Sequence, residues 1–354
     1  MKSTLVSAAC AATVAAGAAH AGGIERRGDP SQILFEEGNQ YLEFSVVHVA
    51  PNVSGTNTTP FPVGPTGNIT ESYQNWAFGY KHELNDKITL AFVLDEPVGA
   101  DVNYDTAGAF FGGSRAAVDS IAATALMKYQ FTDRFSAYGG LKLQGLSGAI
   151  TVQAAAGTVP NPYTLNVDKD YQLGYLVGAA YEVPEIAMRV ALTYESEIEH
   201  EFRDNAGNPF KVKTPQSVTL HAQSGIAANT LLFGSIRWRE WTEFAVSPSD
   251  FAPAPIASGT SDVWTYTLGV GRKFSDKWSG AFSLGYEKDN GDVVGNLSGT
   301  DGYWSYGVAA IYQGEGYKIT TGVRYIDIGS ANTSVASFSD NDAVAVGMKV
   351  GWTF

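Results

Sequence analysis

Few side chains in this sequence have the type and spacing that chemistry requires. Of the five histidines, His20 directly follows the N-terminal apolar run, and His48, His82, His200 and His221 are scattered along the rest. None stands at metal-ligand spacing from another His or from a Cys. His200 lies among Glu197, Glu199, Glu201 and Asp204, a grouping read as a solvated acidic loop before a cation site. Asp340-Asn341-Asp342 lacks the spaced oxygen ligands of a calcium loop. Gly269 and Gly271 fall in an alternating segment, not ahead of a helix, which removes a phosphate loop. No catalytic set stands out, so the expectation is no enzyme, no metal and no cofactor. The remaining chemistry is cationic. Arg237 and Arg239 lie two residues apart, on one face of any extended segment, and an arginine can grip a carboxylate through two parallel hydrogen bonds.

The elements that must position these groups follow from composition and period. The 354 residues are 17% charged and 12% aromatic, against roughly 25% charged in soluble domains. A net charge of −13 argues against a nucleic-acid partner, which selects a basic face. One Cys cannot form an intrachain disulfide. No stretch beyond the start is apolar enough for a spanning helix. Instead the chain alternates with period two. Val344, Val346, Met348, Val350, Trp352 and Phe354 share one face, while Ala343, Ala345, Gly347, Lys349, Gly351 and Thr353 share the other. Trp264 to Val270 and Ile186 to Tyr194 repeat the pattern. One face is apolar and rimmed by aromatics; the other mixes small, polar and isolated charged residues. That asymmetry marks a barrel whose outside meets lipid.

About fourteen such segments start near Tyr41, Ile69, Ile88, Ser120, Phe135, Tyr171, Ile186, Val212, Thr230, Val263, Lys277, Tyr303, Tyr317 and Ala343. Short turns at 85–87, 132–134, 184–185, 227–229, 275–277 and 314–316 alternate with long connections. Asn, Asp, Gly and Pro supply the turns. The fold class expected is therefore all-β: a transmembrane antiparallel β-barrel of about 14 strands, with both chain ends on the short-turn, periplasmic side. Lys2, the apolar run Leu5–Ala19 and the small-x-small triplet Ala19-His20-Ala21 read as an export signal, 1–21, cleaved after Ala21. Cys10 is a small apolar residue within it. Residues 22–40 lack strand alternation yet are too apolar for a free tail, and are placed inside the barrel, 41–354, as a short plug. Phe354 is read as the C-terminal signal for the barrel assembly machinery.

Strand alternation then aims Lys81, Lys128, Lys142, Arg189, Arg237, Arg239, Lys318, Arg324 and Lys349 into the lumen, with Glu43, Glu195 and Glu287. A charge facing lipid at mid-membrane costs about 2–4 kcal/mol, so inward charges suit any barrel. They form ion-pair networks or, alternatively, a cationic track for an anionic head group.

Three places resemble one family. Asp29-Pro30-Ser31-Gln32-Ile33 is similar to an Asn-Pro-Ala segment in the N-terminal hatch of the FadL/TodX transporters of the outer membrane. Val49-Ala50-Pro51-Asn52-Val53-Ser54-Gly55-Thr56 resembles the end of that family's first strand. Leu94-Asp95-Glu96-Pro97-Val98-Gly99-Ala100-Asp101 resembles the end of its third. Two departures are a shorter hatch, with Asp29 in place of Asn, and a shorter loop at Ser147–Asp170, kept apolar by Ala154–Ala156, Val159 and Tyr163. The resemblance implies a plugged 14-stranded barrel in the Gram-negative outer membrane, in contact with its lipids. It would pass hydrophobic small molecules, long-chain fatty acids foremost, without chemistry or an energy source. Ligand would enter between external loops and leave sideways at the third strand, where Pro97 removes a ladder donor and Gly99 permits unusual backbone angles. Ile33, Leu34 and Phe35 would line the pocket, with Arg26, Arg27, Arg237 and Arg239 as candidates for the ligand head group. A general porin for polar solutes and a structural or adhesive barrel are the rival readings.

Overall fold

A computed structural model describes residues 24–58, 64–104, 111–153 and 162–354. The export signal, Cys10 and the apolar loop residues Ala154–Ala156 and Val159 lie outside the described residues. Fourteen antiparallel strands close into one barrel: β1 Gln40–Asn52, β2 Tyr73–Asn85, β3 in two pieces (Ile88–Asp95 and Gly99–Asn103), β4 Arg115–Gln130, β5 Phe135–Val152, β6 Tyr163–Val183, β7 Met188–Glu195, β8 Ser217–Ala227, β9 Thr230–Arg239, β10 Val263–Lys273, β11 Trp278–Glu287, β12 Tyr303–Gln313, β13 Tyr317–Ile328 and β14 Asn341–Thr353. Each pairs with its sequence neighbours, and β1 closes on β14 from Tyr41↔Thr353 to Asn52↔Asp342. Closure leaves no strand at a free sheet edge, the condition for crossing lipid with strands, apart from a local break at β3.

Alternation sorts the faces. The outward row includes Leu141, Leu173, Leu192, Leu268 and Val308, all more than a third exposed. Such a greasy belt is stable only against acyl chains. Phe131, Phe135, Phe274 and Trp278 ring the short-turn end, and Trp264, Tyr286, Trp304 and Tyr325 ring the opposite one. The inward row holds Gly, Ser, Thr and the buried charges Lys81, Arg189, Arg237, Arg239, Lys318, Arg324 and Lys349. No helix among the described residues is long and apolar enough to cross a membrane.

The six short turns fall where the sequence put them. The strand starts differ at four points. β2 begins at Tyr73, not Ile69, and β8 at Ser217, not Val212. Val212 belongs instead to a separate hairpin, Ile198–Arg203 with Pro209–Thr214. β4 and β6 begin earlier than expected, and with β5 they run 16, 18 and 21 residues. About 9–11 residues suffice to cross, so this trio projects beyond the belt. There its outer face meets water, and apolar alternation is no longer required.

The projecting hairpin supports one prediction. His200 is fully buried, with Nδ1 3.2 Å from Asp170 Oδ2 and its ring stacked 6.2 Å from Phe202. Burial holds its pKa below the ordinary His value, although Asp170 pulls the other way. Asp204 lies at the hairpin tip, its carboxylate accepting from Ser249 Oγ and from the backbone of Ala206 and Asn208. These bonds hold its pKa low. Both groups bind fewer protons folded than unfolded, so stability rises with pH. His200 contributes above its ordinary value of about 6.5 and loses that contribution below it; Asp204 loses its own at lower pH. Hydrogen exchange in 198–214, corrected for intrinsic rates, is expected to quicken between pH 7 and pH 5. Equal protection at both would contradict this.

Candidate functional site

The first described residues run up the lumen, and polar pairs fix them at every turn. At the periplasmic end Lys81 Nζ donates to the carbonyls of Glu36 (2.8 Å) and Gly38 (2.6 Å). Glu36 bridges Lys318 and Lys349, each at 3.2 Å. Pro30–Phe35 form a 3₁₀ turn capped by Asp29, which accepts from Ser31 N at 2.8 Å. Pro30 supplies a fixed φ at the first position, where a missing N–H goes unused. Asp29 also accepts from Thr193 Oγ1 at 2.7 Å and lies 3.5 Å from His221 Nε2. Farther up, Glu25 meets Arg237 at 3.0 Å and Arg239 at 2.8 Å. Arg26 pairs with Asp101 and lies over the Tyr73 ring. Arg27 faces Asp95 at 3.9 Å.

Four inward cations of the wall, Arg237, Arg239, Lys318 and Lys349, therefore meet acids of residues 24–39. Arg237 and Arg239, the strongest sequence candidates for an anionic ligand, are engaged by Glu25. Glu25 and Glu36 carried no signal in sequence, because neither lies on a strand whose alternation fixes its direction. Leu34 and Phe35 pack against the wall beside Tyr138, Leu126 and Leu176, with the Phe35 ring edge-on to Tyr138 at 5.6 Å. They border neither of the two cavities described next, whereas Ile33 borders the lower.

The segment separates two spaces. The upper one, about 1450 Å³ and partly open to solvent, is walled by Val49, Val53, Tyr73, Val102, Trp241, Phe244, Leu297 and Ile326, with Ile24–Arg26 at its base. Its charged lining residues are Glu25, Glu71, Asp101, Glu287 and Asp301 against Arg26 alone. The lower one, about 1390 Å³ and also partly open to solvent, is bordered by Arg27, Asp29, Arg189, His221, Arg237, Arg324 and Lys349. Tyr303 touches both.

The barrel wall is broken beside the upper space. β3 pairs with β4 at Asp95↔Ala122 and again at Gly99↔Asp119, so residues 96–98 face only Ser120 and Ile121. Toward β2, strand pairing lapses between Ala77↔Asp95 and the single bridge Thr70↔Val102. Pro97 offers no N–H, and its carbonyl turns to Arg26 N (2.9 Å) and Arg27 N (3.3 Å). Val98 bridges Glu25, and Gly99 N donates to the Ile24 carbonyl. Gly99 leaves room for the Arg26 guanidinium: a Cβ there would stand 2.4 Å from Arg26 Cζ and Nε, and the side chain would have to shift. Glu96, which sequence reading passed over, covers the gap. Its Oε2 accepts from Trp76 N at 3.1 Å, and its carbonyl accepts from Asn75 Nδ2 at 2.8 Å. Phe354, the expected assembly signal, stands exposed past β14, its N–H bonded to the Gln40 carbonyl. Among the described residues no group of three or more His, Cys, Asp or Glu could hold a metal.

A closed 14-stranded barrel with a lipid belt, an occupied lumen and a lateral break defines the class: an outer-membrane channel narrowed by its own chain. The particular family follows from the sequence. Residues 7–290 match the model of the outer membrane protein transport protein family (OMPP1/FadL/TodX), and the chain belongs to it. The fold is also that of a FadL homologue from Pseudomonas aeruginosa (TM-score 0.75, 12% identity, 92% of this chain and 93% of that one). It is likewise that of the Pseudomonas putida toluene transporter TodX (TM-score 0.65, 11% identity, 92% of each chain). The CymD monoaromatic hydrocarbon channel aligns at TM-score 0.64 and 10% identity, over 99% of this chain and 98% of that one. No curated protein matches the chain by sequence.

Proposed function

We propose that this protein is a passive channel for uncharged hydrophobic small molecules, which enter the upper cavity from outside and leave sideways into the membrane through the break in β3. One observation carries the reading: Thr70 and Tyr73 on one lip of the break, and Gly99–Val102 on the other, themselves line the upper cavity. A ligand resting there stands beside the one described barrel strand that is split into two pieces. The apolar walls supply affinity in proportion to the area they cover, about 25 cal/mol per Å².

Charge selects among hydrophobes. A fatty-acid carboxylate would meet five acids, of which Glu25 and Asp101 are paired with arginines, and one arginine that is itself paired, whereas an aromatic hydrocarbon meets no such repulsion. The toluene and monoaromatic hydrocarbon channels of the same fold support this choice over the long-chain fatty acid first expected. A general porin is not favoured, because residues 24–39 occupy the lumen. The break makes chemistry and an energy source unnecessary, since partition into lipid is downhill.

The test is uptake of labelled toluene and labelled oleate by cells carrying this barrel or an unrelated one. Saturable toluene uptake above the control, with oleate at control level, is the expected result. Oleate alone above control would overturn the choice of ligand. Neither above control would overturn the channel.

A further inference from the structure

The lower chamber carries a different chemistry from the upper. Its acids are all engaged: Asp29 with His221 and Thr193, Glu36 with Lys318 and Lys349, and Glu43 with Lys349 and Tyr41. Among the cations, Arg27 faces Asp95, and Arg237 meets Glu25 and Glu195. Two arginines remain. Arg189 borders the chamber from β7; its polar partner is the neutral Gln32 Oε1, at 3.3 Å, and its guanidinium lies 4.4 Å from the centre of the Phe35 ring. Arg324 borders it from β13 and is 2% exposed. It donates one long bond, Nη1 to Ser305 Oγ at 3.4 Å, while Nε and Nη2 have no hydrogen-bond partner. Neither arginine has a carboxylate partner among the described residues.

Nε and Nη2 form the fork edge by which a guanidinium holds both oxygens of a carboxylate. The surrounding wall is built from small residues. A methyl added at Gly307 would meet Ser283 Oγ at 2.7 Å and stand 3.5 Å from Nε and 3.7 Å from Nη2. At Gly285 it would meet Ser305 Oγ at 2.4 Å and stand 3.7 Å from Nη1. A methyl at Gly307 would thus touch the Nε–Nη2 edge at van der Waals distance, in space that an acceptor at that edge would need. A buried donor pair without acceptors is unfavourable, and a lumen with two uncompensated cations attracts an anion in proportion to its low dielectric.

We infer that the lower chamber is a second binding site, specific for a small organic carboxylate, which Arg324 grips through Nε and Nη2 while Arg189 adds charge from the facing wall. The site is separate from the upper cavity and opposite to it in charge preference. It does not depend on the lateral exit. Ile33, Val93 and Phe233 at its border suit the apolar body of an aromatic acid.

The probe is 4-fluorobenzoate, titrated by fluorine NMR into the purified full-length barrel in detergent, with neutral 4-fluorobenzamide as control. Saturable binding of the benzoate and none of the amide is expected. Arg324→Gln should weaken the benzoate at least tenfold; Arg324→Lys, which keeps charge but loses the fork, should fall between. If Arg324→Gln fails to fold, Gly307→Ala keeps every charge and crowds the same edge, and should weaken binding as well. Equal binding of amide and acid, no saturable binding by the wild type, or undiminished binding in the folded variants would overturn the site.

Discussion

Deleting residues 24–39 is expected to turn a barrel of low conductance into a wide, anion-selective pore. The deletion removes Glu25, Asp29, Glu36 and Glu37 from the lumen, against Arg26 and Arg27. On the wall it takes Glu25 from Arg237 and Arg239, and Glu36 from Lys318 and Lys349, leaving Glu195 to Arg237 and Glu43 to Lys349. The barrel itself should persist. Its ladders close without the segment, and water entering the lumen solvates the released cations. Charged rings set the selectivity of a wide pore, and removing the obstruction should raise single-channel conductance about tenfold or more. Planar bilayers with asymmetric potassium chloride measure both quantities, and heat-dependent gel mobility checks that the barrel has formed. Wild-type-like conductance would mean that the segment is not the obstruction. A cation-selective pore would mean that the wall charges do not face the opened lumen. Glu36→Gln should act in the same direction but weakly, because Asp29 and Glu25 still hold the segment.

Much of this was legible in the sequence because a membrane enforces period two. Lipid outside requires an apolar residue at every second position, so strand direction, turn placement and the inward charges of β7, β9, β13 and β14 could be read residue by residue. The rule lapses where lipid ends. Arg115–Asp119 and Tyr163–Lys169 are strand, yet water borders them and both faces carry polar residues, so alternation gave no sign of them. Partners were illegible for another reason. Alternation shows that Arg237 and Arg239 point inward, but that Glu25 reaches both depends on how residues 24–29 climb the lumen. The break in β3 was visible as Pro97 and Gly99. Its cover was not, because Glu96 acts through a side chain thrown across to Trp76 N, a contact fixed by the register of β2 against β3. Arg324 could be read as inward; that its Nε and Nη2 meet no acceptor among the described residues needed the neighbours' positions.

The same break leads to the second large effect. Three residues, 96–98, face two on β4, and the extra residue forces the wall to bow inward toward Arg26 and Arg27. Deleting Pro97 leaves Glu96 and Val98 opposite Ile121 and Ser120, with an N–H at both positions. β3 can then pair with β4 without interruption, and the straightened run from Glu96 can extend its ladder with β2 across Tyr73–Trp76, where pairing now lapses. The Pro97 carbonyl that holds Arg26 N and Arg27 N is lost, but the ion pairs of Glu25, Asp29 and Glu36 keep the segment in place. Ion conductance should therefore stay at the wild-type level, while toluene uptake falls about tenfold, since a continuous ladder offers no gap for lateral exit. Glu96→Ala should do the reverse. It uncovers Trp76 N without restoring pairing, and so widens the gap and speeds uptake. The pair of variants separates a lateral route from an axial one: an axial route predicts that neither changes toluene uptake, and that outcome would remove β3 from the path.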